Sequence, residues 1–404
     1  MTPFPDELSR WVWEHRYRWR PATGEAEPDL EASWRRVASA VAAAEPRDRA
    51  RWEERFLGLL AGLRFLPGGR ILANAGTGRT ATLLNCFVMG RIPDSLPGIF
   101  RVLEESALTL QQGGGIGLDF STLRPSGAPA TAAGTIASGP VSFLHVWDAM
   151  CATLLASGAR RGAMMATLRC DHPDIFEFVD AKADPSVLHF FNLSVSVSDA
   201  FLTAVRDDAP WPLLFPISPG ETEPPARGLI RRWPGFDRPV LCRVHRTTRA
   251  RDLWQRLLAA NRDSAEPGVQ FIDTINAANN LHWCEYLTAT NPCGEVPLPP
   301  HGACNLASIN LARFVCDPFS ERARLDLEGV AEVARTAVRF LDDVLEVSAF
   351  PLPAQAQQVR ASRRIGLGIT GLADALALLG LRYDSREARS VAGDAMRRIC
   401  LAAY

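Results

Sequence analysis

The segment Asn291-Pro292-Cys293-Gly294-Glu295-Val296-Pro297-Leu298-Pro299-Pro300-His301-Gly302-Ala303-Cys304-Asn305-Leu306 constrains the fold more than any other stretch of the chain. Proline fixes φ and has no amide proton, so Pro292, Pro297, Pro299 and Pro300 exclude a regular helix and a central strand. The segment reads as a loop. In an extended loop Asn291, Cys293 and Glu295 stand at i, i+2 and i+4, so an amide, a thiol and a carboxyl face one side at about 6 to 7 Å. Such a set can orient, attack and exchange a proton with one small substrate.

A carboxylate beside a thiol raises the thiol pKa, so a cysteine-protease reading of Cys293 meets a physical objection. A lone cysteine is more often an inert small hydrophobe than a nucleophile. Zinc is a further alternative, since His282, Cys284, Cys293, His301 and Cys304 offer N and S donors. The Cys-x2-Cys pairs of structural zinc sites are missing, and no metal site is expected.

Around this loop, helix and strand signals alternate. Trp34, Val37, Val41, Phe56, Leu59, Leu60 and Leu63 recur at three to four residues, which predicts a small helical unit over residues 1–66, closed by Pro67-Gly68-Gly69. Buried strands are expected at Leu83–Met89, Ile116–Phe120, Ala166–Arg169, His189–Val197 and Trp211–Phe215. Helices are expected from Asp94-Ser95-Leu96-Pro97 to Gln112 and over Val141–Leu155, Pro173–Ala181, Ala250–Arg262, Phe271–Asn279, Leu327–Val347, Gly366–Leu379 and Ser385–Ala402. Residues 217–239 are dense in Pro, Gly, Glu and Arg and read as a surface insertion. The alternation favours an α/β sheet or barrel over residues 67–404.

With 44 basic against 45 acidic residues there is no global field to hold a nucleic-acid duplex. Lys182 is the sole lysine, which fits coding bias rather than function. The first residues mix charges among apolar positions, and no apolar run approaches the ~20 residues of a membrane span. Nine irregularly spaced cysteines do not form a disulfide scaffold, so a reducing cytoplasm is expected.

Asn291-Pro292-Cys293-Gly294-Glu295, then Ala303-Cys304-Asn305-Leu306-Ala307-Ser308-Ile309-Asn310-Leu311, with Leu84-Asn85-Cys86-Phe87-Val88 upstream, resembles the catalytic subunit of ribonucleotide reductases. Pro67-Gly68-Gly69-Arg70, Gln111-Gln112-Gly113-Gly114-Gly115-Ile116-Gly117-Leu118-Asp119-Phe120 and Arg160-Arg161-Gly162-Ala163-Met164-Met165-Ala166-Thr167-Leu168 resemble the adenosylcobalamin-dependent (class II) branch. The likeness covers about residues 55 to 385.

The resemblance implies a ten-stranded α/β barrel built from two five-stranded halves around a finger loop that carries Cys293. It implies that cobalt–carbon homolysis generates a radical that takes hydrogen from the Cys293 thiol, and that the thiyl removes the ribose 3′-hydrogen. A radical needs no thiolate, so the neighbouring carboxyl ceases to be an objection. Glu295 would act as base on the 3′-hydroxyl, Asn291 would position the ribose and Asn85 would help to bind the substrate. Cys86 would protonate the departing 2′-hydroxyl, and Cys86 and Cys304 would close a redox-active disulfide reopened by a thioredoxin- or glutaredoxin-type dithiol.

By the same resemblance Asp94, Arg124, Arg160 and Arg161 would bind a dNTP or ATP specificity effector near a homodimer interface. Taken alone, Asp94 reads as an N-cap and Arg124 as a solvated charge. Gly113–Gly117 lacks the Gly-Lys-Ser/Thr of a phosphate loop and reads as a helix-to-strand turn. The N-terminal unit is too short for a second, activity-regulating nucleotide domain. Family members continue beyond the equivalent of Tyr404, so the chain is expected to be a fragment, to be complemented by a separate chain that supplies the C-terminal half, or to be a non-catalytic nucleotide-binding remnant.

Overall fold

A computed structural model describes residues 4, 6–130, 135–155, 162–217 and 228–404. The chain divides into two compact units, one of residues 1–85 and 303–404, the other of residues 86–302.

In the first unit, helices Leu30–Ala42 and Arg49–Ala61 pack through Val37, Val41, Phe56 and Leu60 against Phe340 of the long helix Leu327–Val347. Asp29 caps the first of these helices, its carboxylate accepting from the Ala32 amide at 2.9 Å. Phe340 receives Phe56 and Phe65 edge-on, at centroid distances of 5.2 and 5.3 Å. Strand Phe65–Pro67 pairs antiparallel with Ala303–Asn310, which pairs parallel with Ile365–Thr370. The last of these strands overturns part of the helix expected over Gly366–Leu379. Ile365, Leu367 and Ile369 alternate with Gly366 and Gly368, a period of two that favours a strand. The helix is confined to Leu372–Leu378.

The second unit is built on five parallel strands: β1 (Cys86–Val88), β2 (Gly115–Asp119), β3 (Met164–Arg169), β4 (Phe191–Val197) and β5 (Gly268–Phe271), in that spatial order. Helix Leu96–Gln111 links β1 to β2, as expected for a parallel crossover. β5 is absent from the sequence expectation, which begins a helix at Phe271; the helix is Ile272–Ala277. These strands correspond to one of the two five-stranded halves expected. Among the described residues a closed ten-stranded barrel is not formed.

Residues in register share a face. Ile116, Leu118, Met164, Ala166 and Leu168 form the buried apolar side. The opposite side carries Cys86 on β1, Gly117 and Asp119 on β2, Met165, Thr167 and Arg169 on β3, Asn192, Ser194 and Ser196 on β4, and Gly268 and Gln270 on β5.

The segment 217–239 is more than a surface insertion. Its residues 218–227 lie outside the described residues, but Gly228–Arg231 is a strand paired antiparallel with Val240–Arg249, which also pairs with Pro210–Pro216. Trp233 is buried, and its indole N–H donates to the Ser121 carbonyl at 3.0 Å. Arg169 lies 4.5 Å over its ring. Desolvation and cation–π contact of one tryptophan anchor a segment whose composition alone suggests a loop. Among the described residues no helix is long and apolar enough to cross a membrane.

Candidate active site

The first part of the proline-rich segment lies on the polar face of the parallel sheet; its last residues, 303–306, are not the loop expected but the start of the strand Ala303–Asn310, where no proline interrupts the ladder. Ala289–Thr290 pairs antiparallel with Pro297–Leu298, so residues 291–296 are the tip of a short hairpin. The prolines suit this geometry, because a two-residue pairing needs few amide donors. Gly117 lets the hairpin approach: a Cβ there would overlap the Thr290 carbonyl oxygen. Thr167 Oγ1 donates to the Thr288 carbonyl at 3.3 Å, and the Asn192 amide donates to the Pro292 carbonyl at 2.7 Å.

The tip is a turn and not the extended run that spacing suggests. Gly294 has φ +83°, and its amide donates to the Asn291 carbonyl at 3.0 Å. The chain folds back, and the Asn291 side-chain amide reaches the Glu295 carboxylate at 2.7 Å. The same Nδ2 donates to Cys86 Sγ at 3.2 Å. Asn291 Oδ1 accepts from the Val296 amide at 3.0 Å and from Thr290 Oγ1 at 3.1 Å. Asn291 is fully buried. Its four contacts make it the organiser of the tip, while Cys293 is exposed.

Of the residues expected to share chemistry, Cys86, Asn291, Cys293 and Glu295 belong to the second unit, and three of them are joined by hydrogen bonds. Cys304 and Asn85 belong to the first unit, Cys304 buried on strand Ala303–Asn310. Asn85 Oδ1 is buried without a hydrogen-bond partner. All nine cysteines are thiols.

Asp94 and Arg124 meet: Arg124 Nε donates to the Asp94 carboxylate at 2.8 Å and the Arg124 backbone amide to its other oxygen at 3.1 Å. Asp94 is therefore not the helix cap. Ser95 is, accepting from the Gly98 amide at 3.3 Å. Arg160 and Arg161 lie outside the described residues. Among the described residues no three His, Cys, Asp or Glu side chains converge on a metal position.

Sequence reasoning passed over a polar cluster at the carboxyl ends of β2 and β3. Arg169 binds Asp171 in bidentate fashion at 2.8 and 2.7 Å. Asp119 Oδ2 has no hydrogen-bond partner, and burial pushes its pKa up. Burial pushes the Cys170 thiol up to about 12. The signal for this cluster is the period-two polar face of the strands, which appears only once register is known.

The fold and site together define an α/β protein in which a polar-faced parallel sheet carries a cysteine-tipped hairpin, with a thiol on the same turn as an amide–carboxylate pair. Comparison with known proteins agrees. The family described as "Ribonucleotide reductase, barrel domain" matches residues 84–404, and "Ribonucleotide reductase, all-alpha domain" matches residues 3–80. The chain belongs to the ribonucleotide reductase family. It is 44% identical over 393 residues to a vitamin B12-dependent ribonucleoside-diphosphate reductase of Mycobacterium tuberculosis, covering 96% of this chain and 52% of that protein. A protein of the same name from Thermoplasma acidophilum is 36% identical over 338 residues, 83% of this chain and 40% of that protein. The ribonucleoside-diphosphate reductase subunit alpha of Chlamydia muridarum is 28% identical over 367 residues, 88% of this chain and 34% of that protein. The chain thus spans about half the length, or less, of these curated relatives.

Proposed function

We propose that this chain carries the radical chemistry of a B12-dependent ribonucleotide reductase, reducing ribonucleotides to 2′-deoxyribonucleotides. The observation that carries the reading is the pair of hydrogen bonds from one buried amide, Asn291 Nδ2, to Glu295 and to Cys86, with Cys293 on the same turn. Relatives named as vitamin B12-dependent ribonucleoside-diphosphate reductases support it.

Adenosylcobalamin, when bound, supplies a carbon-centred radical able to take a hydrogen atom from a thiol. The exposed Cys293 thiol borders a cavity that also contains the unpartnered Gln270 amide, a donor set that fits the adenosyl end of that cofactor. Cys293, as the thiyl, removes the 3′-hydrogen of the ribose. Glu295 takes the 3′-hydroxyl proton, and Asn291 holds that carboxylate in place. Cys86 gives its proton to the 2′-hydroxyl, which leaves as water. Cys86 and Cys304 supply two electrons and become a disulfide, Cys293 recovers its hydrogen, and an external dithiol protein of the thioredoxin or glutaredoxin kind returns the pair to thiols.

The Asp94–Arg124 pair serves a deoxynucleoside triphosphate or ATP effector in a homodimer. The chain spans about half the length of its relatives, and a polypeptide equivalent to their other half is added as one arm of the test. The test is deoxynucleotide formation from ribonucleoside diphosphates with adenosylcobalamin and a dithiol, with and without that polypeptide. Product in the mixture supports the reading. Effector binding with no product in either sample replaces it with a nucleotide-binding protein that lacks catalysis.

A further inference from the structure

Cys293 is carried on a turn, and the direction of its side chain is set by the two peptide planes that meet at its Cα. The plane after it is tied within the hairpin, where the Gly294 amide donates to the Asn291 carbonyl at 3.0 Å. The plane before it contains the Pro292 carbonyl. Proline has no amide proton, so that carbonyl is the only backbone group through which a hydrogen bond can hold residue 292. Its donor comes from the sheet: Asn192 Nδ2, at 2.7 Å.

Asn192 is exposed, so its amide needs no protein partner to escape a burial penalty. What the bond changes is the hairpin. Hydrogen bonds inside the turn give it its shape but leave its tilt towards β4 open, and the Asn192 bond closes that freedom one residue before the thiol. Met165 of β3, in register with Asn192, lies under the other flank, its Cε 3.9 Å from where a Gly294 Cβ would stand. One cross-strand pair thus brackets Cys293.

The strand beneath is stiff at this point. On one side of Asn192 the Phe191 carbonyl accepts from Lys182 Nζ at 2.7 Å, and on the other the Leu193 amide donates to Glu266 at 3.1 Å. Lys182 and Glu266 pair with each other at 3.0 Å. The chain's single lysine therefore closes an ion pair around the backbone that carries Asn192. Glu295 and Cys86 are bound by Asn291 instead. Two asparagines divide the tip, one holding the carboxylate and the β1 thiol, the other the Cys293 turn.

We propose that Asn192 is a positioning residue for the reaction: it fixes the Cys293 turn against β4 and so aims the thiol without touching Glu295 or Cys86. This role rests on the radical chemistry proposed for Cys293.

The test compares the full chain with Asn192→Leu, which keeps the size, and Asn192→Asp, which keeps the shape and at neutral pH has no proton to donate. Iodoacetamide labelling mapped by mass spectrometry reads Cys293, thermal melts read stability, and kcat and KM are read in the complemented assay. The expected result is a melting temperature close to that of the wild type and a Cys293 labelling rate shifted severalfold in both variants. With it, kcat falls at least about tenfold while KM stays within about twofold of the wild type. Unchanged labelling in either variant overturns the proposal; for the Asp variant it would mean that polarity and not the donated bond matters. A raised KM with kcat intact would make Asn192 a substrate contact, and a loss of turnover that only tracks a lower melting temperature would make it a structural one; either outcome replaces the positioning role. Labelling needs no turnover, so it separates this role from the radical reading, whose own failure shows as deoxynucleotide formation by Cys293→Ala.

Discussion

The Asn291 side-chain amide lies 2.7 Å from the Glu295 carboxylate, and a hairpin turn rather than strand periodicity brings them together. The consequence is a division of labour. Asn291 is the buried scaffold of the tip, and Glu295 has its orientation fixed through it. Asn291→Ala removes partners from Glu295, Cys86, Val296 and Thr290 together. Leaving several such groups unsatisfied costs about 2–3 kcal/mol. The expected outcome is a lower melting temperature with turnover reduced well over tenfold. Unchanged stability would show that the tip is held by its backbone alone.

Cys293 behaves differently. It is exposed, so Cys293→Ala should change stability by less than ~0.5 kcal/mol. Product formation in the complemented assay should nonetheless fall to background. Thermal melts and turnover measured on the same preparation separate the two effects, and substantial residual turnover would remove the thiyl assignment.

Gly117 and Gly58 make a paired test of how the hairpin seats on the sheet. A Cβ on Gly117 would overlap the Thr290 carbonyl, a backbone atom that can yield only if the hairpin moves. Gly117→Ala should therefore cost about 1–3 kcal/mol and change the rate of Cys293 alkylation. Gly58 lies in helix Arg49–Ala61 with nothing within 4 Å of its would-be Cβ. Gly58→Ala should stabilise by about 0.5–1 kcal/mol, read as a higher melting temperature. Equal effects at both positions would contradict the close approach of the hairpin.

These contrasts show what the sequence makes legible. Four prolines keep residues 291–300 out of a helix and out of a central strand, but the loop they suggest ends sooner than expected, since residues 303–306 open the strand Ala303–Asn310; the strand-and-helix alternation leads to a parallel sheet. Spacing does not reveal the turn at Gly294, because i, i+2, i+4 geometry presumes an extended chain and a φ of +83° breaks it. The strand Ile365–Thr370 hides among helix-forming neighbours until its pairing with Ala303–Asn310 is seen. Trp233 reads as part of a loop because a single anchoring side chain has no periodicity. Gln270 is invisible for a related reason: its significance lies in hydrogen bonds it does not make.

The Asp94–Arg124 pair allows a decision between an ion pair and a ligand site. Both side chains are about a quarter exposed, at 27% and 24%, so as a structural pair they contribute no more than about 1 kcal/mol. Arg124→Ala should leave the melting temperature nearly unchanged while weakening binding of a deoxynucleoside triphosphate at least tenfold. Calorimetric titration with dATP and dTTP measures this. Unaltered affinity would reduce the pair to a local strut that fixes the start of helix Leu96–Gln111.

His172 gives the second unit a specific acid sensitivity. The ring is fully buried, with Nε2 2.9 Å from the Leu123 carbonyl and Nδ1 accepting from the Asp174 amide at 3.1 Å. Both contacts are satisfied only by the neutral Nε2–H tautomer, and burial pushes the pKa down to about 4. The unfolded chain takes up a proton near pH 6.5 and the folded chain only near 4, so stability falls as pH drops through that window, by roughly 3 kcal/mol in full. Asp174 opposes it: burial raises its pKa to about 6, so its contribution is lost as pH rises from the ordinary carboxylate range through about 6. Comparing wild type with His172→Gln isolates the imidazole, because Asp174 is present in both. Denaturant unfolding at pH 7.5, 6, 5 and 4 should show a stability difference that favours the wild type at pH 7.5 and shrinks towards pH 4. A difference that stays constant across the series would mean that His172 titrates alike in the folded and unfolded chains.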